Sequence, residues 1–138
     1  MNNENKKCHL NMIQGIISRM GNNGFALKGW TVGIMIAIYT FTGQNSNKAI
    51  IITLIPLIVF WMLDTYYLML EKKFRLLYDN VRTKDEKEID YSMSFNDINI
   101  KDGKGKNFSF IKIMFSKSIL PFYLVCIVTT LIIYFVKF

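Results

Sequence analysis

Histidine, cysteine and acidic side chains are scarce in this sequence, and each scarcity argues against a class of protein. With a single histidine, His9, no constellation for acid–base or nucleophilic catalysis is present, and no glycine-rich phosphate loop follows a strand. Cys8 lies in a polar segment and Cys126 inside an apolar run, so a disulfide between them is not expected. The adjacent Cys8 and His9 lack further ligands at metal spacing. We therefore expect neither an enzyme nor a metal or cofactor site.

Apolar residues, in contrast, make up 51% of the chain and are concentrated in three blocks, at residues 29–43, 49–70 and 119–136. A helix needs roughly 20 apolar residues to cross about 30 Å of hydrocarbon. The second block, with 22 residues, meets this length, and the third, with 18, is close to it. The first is short unless its helix begins at Phe25 and Lys28 extends to the lipid headgroups. A soluble helical bundle would need a polar stripe along each helix, which these blocks lack.

The predicted fold class is therefore an all-α integral membrane protein with three transmembrane helices, forming one membrane domain over residues 1–138. Its predicted elements, in chain order, are an amphipathic helix at 10–20, a span at 25–43, a span at 49–70 that continues as a cytoplasmic helix to about 82, a cytoplasmic segment at 83–117, and a span at 118–137.

Basic residues are distributed unevenly along these elements. Of the 17 lysines and arginines, four precede the first apolar block at 29–43 and eleven lie between residues 71 and 118, whereas only Lys48 and Lys137 fall on the other side. The positive-inside rule then places the N-terminus and the 71–118 segment in the cytoplasm and the C-terminus outside. We expect the bacterial inner membrane as the location and the lipid bilayer as a partner.

The apolar residues of segment 10–20 recur at helical spacing, with polar residues on the opposite side. Two interpretations stay open for this helix. It lies on the membrane or on a neighbouring subunit, or it packs on the protein's own cytoplasmic segment. Residues 21–24, of sequence GNNG, are expected to break the helix before the first span.

The second span is predicted to continue without interruption into the cytoplasm, with Pro56 tolerated inside it. Glu71 and Arg75 are spaced to form an i,i+4 ion pair. Beyond this helix, apolar and polar residues alternate at 91–96 and again at 108–113, on either side of a glycine- and lysine-rich stretch. This period of two predicts a β-hairpin or an ordered loop in the cytoplasmic segment.

Asp64 is the first candidate functional residue, because a carboxylate inside a membrane is costly and usually faces a bundle interior, an aqueous cavity or a cation. One hypothesis gives Asp64 a pore-lining or gating role. The other gives it a structural ion pair with Lys28, Arg75 or Arg19. Together with Glu71, these residues form the predicted gating or assembly set.

The basic cytoplasmic segment is the second candidate. Its loop lysines and nearby arginine would hold the phosphates of a nucleotide or oligonucleotide, and the alternative is attraction of juxtamembrane lysines to anionic lipid. The predicted phosphate-binding residues are Arg82, Lys101, Lys104 and Lys106.

Several short runs between Leu10 and Phe122 carry a further signal. They are ISRM at 17–20, FALKGWTV at 25–32, FWMLDTYYL at 60–68, EKKFRLLY at 71–78, VR at 81–82, YSMS at 91–94 and FS at 115–116. Together these runs resemble a family of small bacterial membrane proteins. Some members look like the transmembrane effectors of anti-phage systems that contain a nucleotidyltransferase, as in the Hailong and CBASS-type systems.

The resemblance implies a homo-oligomeric effector, such as a tetrameric channel, gated by a nucleotide or DNA-oligomer ligand that a partner nucleotidyltransferase makes. Opening would depolarise the membrane and stop the growth of an infected cell. The resemblance also implies roles for Asp64, Arg75 and Arg82 in assembly or gating. The alternative hypothesis is a non-conducting membrane anchor that recruits a cytoplasmic partner through residues 71–118.

Overall fold

A computed structural model of the protein describes residues 3–41, 48–94 and 109–136. Four α-helices and one short 3-10 helix account for most of these residues, and the described ranges contain no strand, which confirms the all-helical prediction for them. The elements are α1 at Asn3–Phe41, α2 at Lys48–Thr83, the 3-10 helix at Glu86–Glu88, α3 at Phe110–Met114 and α4 at Leu120–Val136.

The predicted helix break at residues 21–24 is wrong, because the amphipathic segment and the first apolar segment form the single helix α1. Glycine inside a helix costs about 1 kcal/mol relative to alanine, a preference that tertiary packing overrides. The packing is visible at Gly24, which is buried where α1 meets α2. A Cβ added at Gly24 would lie 3.0 Å from Asp64 Oδ1. These glycines therefore allow close helix packing instead of ending the helix.

The second helix agrees with its prediction, since α2 runs without interruption over 36 residues and contains Pro56.

The predicted β-hairpin is wrong for the residues that the structure describes. Its second piece, at residues 108–113, overlaps α3, so a strand there is wrong, and residues 91–94 form no strand either. The short run also fits a helix, because Phe110, Ile113 and Met114 share one face and Ile113 is buried. The rest of the predicted hairpin lies outside the described residues.

The three long helices alternate in direction. Lys6 of α1 contacts the end of α2, and Lys28 contacts its middle, so α1 and α2 are antiparallel. Ile119, just before α4, borders the same cavity as Lys28, and Tyr39 of α1 donates a hydrogen bond to Thr130 of α4 over 2.8 Å, so α4 is parallel to α1. The N-terminus of α1 and the C-terminus of α2 therefore lie at the same end of the molecule.

Two apolar clusters hold these helices together. The first joins α1, α2, α3 and α4 around a fully buried Tyr123, with Met35, Leu57, Ile113 and Ile119 among its members.

The second cluster packs the N-terminal half of α1 against the end of α2 and the connection that follows it. It consists of Ile13, Ile17, Leu77, Val81 and Ile89. The amphipathic segment therefore packs on the protein's own predicted cytoplasmic segment, as one of its two interpretations expected. The start of α1, the last turns of α2 and residues 84–94 are called the polar end of the molecule below.

The helices around the first cluster expose large apolar side chains and also bury several polar ones between them, which reverses the distribution expected at the surface of a soluble protein. The buried polar side chains, all at 2% exposure or less, are Thr31, Thr53, Asp64, Thr65 and Thr130. The exposed side chains of the same helices are large and apolar, and they include Trp30, Val32, Ile36, Ile55, Ile58, Val59, Met62, Val125, Val128 and Ile132. Several buried hydroxyls donate to the carbonyl four residues earlier, as Thr65 does to Trp61 over 2.8 Å.

Two of the described helices are long and apolar enough to cross a membrane by length and composition, at Glu4–Phe41 and Ile52–Thr83. The third predicted span corresponds to α4, which is apolar but has 17 residues, at the lower end of the length that a span requires.

Candidate functional site

The candidate site is an ion pair between α1 and α2. Lys28 Nζ donates to Asp64 Oδ2 over 2.6 Å and lies 3.5 Å from the carbonyl oxygen of Gly24. Of the three cations that the sequence offers as partners for Asp64, the structure therefore selects Lys28. Helix periodicity along one chain cannot identify this partner, because the contact joins residues 36 positions apart.

The two charged groups differ in their surroundings. The Asp64 side chain is 3% exposed and the Lys28 side chain is 26% exposed. Lys28 therefore lies at the rim of the helix pair, where its flexible stem has room to move, whereas the carboxylate is enclosed. A displacement of Lys28 would leave a buried carboxylate without its cation, which is a costly state.

A cavity of about 200 Å³ adjoins the ion pair, bounded by α1, α2 and the start of α4. Its polar lining consists of Lys28, Asp64, Glu71 and Ser118, and the remaining lining is apolar or glycine. The glycines bring α1 close to both carboxylates, since a Cβ at Gly21 would lie 3.7 Å from Glu71 Oε2. The cavity thus combines two carboxylates with one movable ammonium group.

Aromatic side chains hold the helices on the apolar side of this ion pair. The rings of Trp61 and Tyr123 stack with centroids 5.5 Å apart and planes 10° apart. The Tyr123 hydroxyl donates to the carbonyl of Phe60 over 3.1 Å, and Trp61 Nε1 donates to the carbonyl of Met114 over 3.2 Å. These contacts fix α4 and α3 against α2 within one helical turn of Asp64.

The other predicted gating residues do not join the Lys28–Asp64 pair. Arg75 pairs with Glu71 through two hydrogen bonds of 2.8 and 2.9 Å, which confirms the i,i+4 prediction. Arg19 is exposed and forms no ion pair with a residue that the structure describes. Glu71, in contrast, borders the cavity, so it and Lys28 are the members of the set that lie near Asp64.

Of the predicted phosphate-binding residues, Arg82 is the one that the structure describes. Arg82 is exposed at the end of α2 and pairs with Asp79 over 3.4 Å. Lys101, Lys104 and Lys106 lie outside the described residues. Among the described residues, no group of three or more histidine, cysteine, aspartate or glutamate side chains is placed to hold a metal ion.

Sequence reasoning missed the contacts at the polar end of the molecule. Lys6 Nζ donates to the carbonyls of Arg82 and Lys84 over 3.1 and 2.7 Å, at the C-terminus of α2. His9 is buried against the ring of Tyr91, with centroids 5.5 Å apart. Partial removal from water, followed by the nearby Glu86 carboxylate, raises the pKa of the Tyr91 phenol. The one available signal was the position of His9, four residues before Ile13 and so in line with the apolar residues of the helix.

Comparisons of the chain with protein-family models, with curated proteins and with solved structures each find no match. The function is therefore argued from the residues and their geometry.

Proposed function

We propose that the chain is an integral membrane protein of the bacterial inner membrane whose copies assemble into a gated pore. In this proposal, opening depolarises the membrane as part of anti-phage defence, and a nucleotide or DNA-oligomer ligand controls the opening. The N-terminus and the α2–α4 connection lie in the cytoplasm. The Lys28–Asp64 pair joins α1 to α2 and lines the cavity, so a movement of one helix relative to the other changes the charges that face the cavity.

The observation that carries membrane insertion is the reversed distribution of polar and apolar residues. Threonines and Asp64 are buried between the helices, while isoleucine, valine, leucine and aromatic side chains face outward. In water such a surface would expose an apolar area typical of an interaction site. In lipid it is the favourable arrangement, because backbone polar groups are satisfied inside each helix and side-chain hydroxyls bond to the preceding turn.

The pore requires several copies, because one copy encloses only a small cavity and has three helices at most to surround a water-filled path. The enclosed carboxylate supports a gating role, since an ionisable group within a membrane helix commonly marks an ion pathway. Withdrawal of the partly exposed Lys28 would leave the Asp64 carboxylate, which already borders the cavity, without its cation. A movement of α1 relative to α2 would be sufficient to withdraw Lys28.

Membrane insertion is tested with the two tryptophans as a matched pair. Trp30 is 66% exposed, whereas Trp61 is stacked on Tyr123. Because Lys28 lies opposite Asp64, the two indoles lie at similar distances from the ion pair along the helix axes. Single-tryptophan variants Trp61→Phe and Trp30→Phe are placed in vesicles of brominated lipid. We expect stronger quenching of Trp30 than of Trp61, and retention of the protein in membranes after alkaline carbonate washing. Release into the wash would contradict insertion.

Pore formation is tested by expression in bacteria with a potential-sensitive dye, with and without candidate nucleotide ligands. We expect depolarisation, and we expect Lys28→Met and Asp64→Asn to change its extent. Lys87→Met serves as the control, because Lys87 is an exposed lysine in the α2–α4 connection. A protein that inserts and assembles but never depolarises the membrane would contradict the pore. A stable stoichiometric complex with a soluble protein would then favour the membrane anchor.

A further inference from the structure

A buried and unpartnered histidine nitrogen marks a second place of interest, at the polar end of the molecule. His9 is 5% exposed, and its Nε2 atom forms no hydrogen bond with any residue that the structure describes. Buried polar atoms are nearly always hydrogen-bonded, because an imidazole nitrogen that loses its hydration needs another partner. The ring is held in place by edge-on packing against Tyr91, with an angle of 71° between the ring planes.

A cavity of about 60 Å³ lies beside His9, between α1, the last turns of α2 and the connection that follows. One water molecule takes up about 30 Å³ in the liquid, so the cavity has room for about two waters, or for one tetrahedral oxyanion of similar size. The polar residues of the lining include His9, Asn80, Lys84, Asp90, Tyr91 and Ser92.

Hydrogen-bond donors predominate around this cavity. Ser92 Oγ accepts a bond from the backbone N–H of Ser94 over 3.0 Å, so its hydroxyl hydrogen is left for another acceptor. Lys84 contributes an ammonium group that forms no ion pair within the described ranges, and Asn80 contributes an amide. Asp90, which is exposed, is the single acidic residue among the lining residues. The donor set therefore suits an acceptor with several oxygens.

The backbone at the cavity is also unusual. Tyr91 has a φ of 53°, in the left-handed region that bulky residues rarely adopt. Such a conformation persists only where surrounding contacts impose it, and it is found preferentially at ligand sites. Here it turns the chain so that Tyr91 covers His9 while Ser92 stays at the cavity.

The position of the cavity decides the source of the anion. Val81, which lines the cavity, lies 11 residues beyond Leu70, the last residue of the apolar block of α2. At a rise of 1.5 Å per residue this is about 16 Å beyond the apolar block along the helix. A lipid headgroup would have to leave the membrane surface to reach it, whereas a soluble anion has direct access.

We propose that the cavity between His9, Lys84 and Ser92 is a binding site for one phosphate-sized oxyanion from solution. The anion accepts hydrogen bonds from His9 Nε2, the Ser92 hydroxyl and the Lys84 ammonium group, and the amide of Asn80 completes the set. Because these residues come from α1, α2 and the connection, the bound anion links all three. The assignment of the anion to solution rests on the proposed membrane insertion, whereas the site itself does not depend on the proposed pore.

The test uses the fact that His9 is the only histidine of the chain. The full-length protein, labelled with ¹⁵N-histidine and placed in zwitterionic nanodiscs, is titrated with inorganic phosphate at constant pH and ionic strength. We expect a saturable shift of the His9 ring nitrogens that chloride does not produce. Lys84→Gln and Ser92→Ala are each expected to weaken phosphate binding about ten-fold, the effect of losing one hydrogen bond to a charged group. Lys87→Gln, on the same connection, is the matched control and keeps wild-type affinity.

A shift of the His9 nitrogens that does not saturate would overturn the proposal, and so would a shift that Lys84→Gln and Ser92→Ala leave unchanged. A shift that appears only in nanodiscs of anionic lipid would also overturn it, because the ligand would then be a headgroup. A second measurement guards against a folding defect. His9→Leu removes the unpartnered nitrogen and is expected to fold, as judged by its helical circular dichroism, but to lose the rise in Tm that phosphate gives the wild-type protein.

Discussion

Lys28 Nζ and Asp64 Oδ2 lie 2.6 Å apart, yet the lysine side chain is 26% exposed and the aspartate side chain only 3%. The ion pair is therefore asymmetric. If Asp64 is neutralised, Lys28 can extend toward solvent or headgroups. If Lys28 is removed, the carboxylate stays enclosed without a cation.

This asymmetry predicts unequal effects of the two single substitutions. Lys28→Met is expected to lower the free energy of unfolding by about 3 kcal/mol, because it leaves an uncompensated buried charge. Asp64→Asn is expected to cost roughly 1 kcal/mol, since its amide keeps a hydrogen-bonding group at the same position. Denaturant unfolding of the detergent-solubilised protein, followed by circular dichroism, measures both. The double variant should lose less than the sum, and equal losses from the two single variants would refute the asymmetry.

The two glycines of α1 predict a matched pair of alanine substitutions. Gly24→Ala places a methyl group 3.0 Å from Asp64 Oδ1, whereas Gly21→Ala places one at an ordinary contact distance of 3.7 Å from Glu71 Oε2. Gly21→Ala is expected to stabilise by about 0.5–1 kcal/mol through helix propensity. Gly24→Ala should destabilise, because it pushes the carboxylate away from Lys28. The same unfolding assay compares them, and stabilisation by Gly24→Ala would show that the helices are not closely packed there.

Lys6 predicts a local effect at the end of α2. Its ammonium group donates to the carbonyls of Arg82 and Lys84, where the helix dipole is negative. Lys6→Met is expected to increase amide hydrogen exchange in the last turn of α2, with a cost of about 0.5–1 kcal/mol. Lys7→Met is the control, because Lys7 is exposed and forms no hydrogen bond or ion pair among the described residues. Equal exchange in the two variants would contradict a capping role for Lys6.

The Trp61–Tyr123 stack predicts a spectroscopic effect. In a Trp30→Phe background, Trp61 is the only indole, and Tyr123→Leu removes its stacking partner. We expect a change in Trp61 emission and a loss of about 3 kcal/mol from the emptied space and missing contacts. Tyr123→Phe keeps the ring and removes the hydroxyl that donates to the Phe60 carbonyl, so it should cost about 1 kcal/mol and leave the emission nearly unchanged. A large emission change in Tyr123→Phe would contradict stacking as the cause.

The sequence predicted well those features that depend on neighbours along one helix. The continuity of α2 and the Glu71–Arg75 pair follow from a 3.6-residue period, which a single segment displays by itself. The same local logic failed at two places. At Gly21 and Gly24 the local pattern indicated helix-breaking residues, because it contains no information about α2, which packs against them. At residues 110–113 it met a run too short to separate a period of two from a helical turn.

What only the tertiary structure decided are the contacts between distant segments. Asp64 had three candidate cations, and the antiparallel packing of α1 on α2 brought Lys28 to it. His9 and Tyr91 are 82 residues apart in the sequence, and nothing in either local pattern indicates their contact. The sequence by itself determined that the described segments are mostly helical and that the chain is rich in apolar residues, because helix propensity and hydrophobicity are sums over individual residues. The partners of its buried polar groups depend on which helix faces meet, and that is settled only when all the helices pack together.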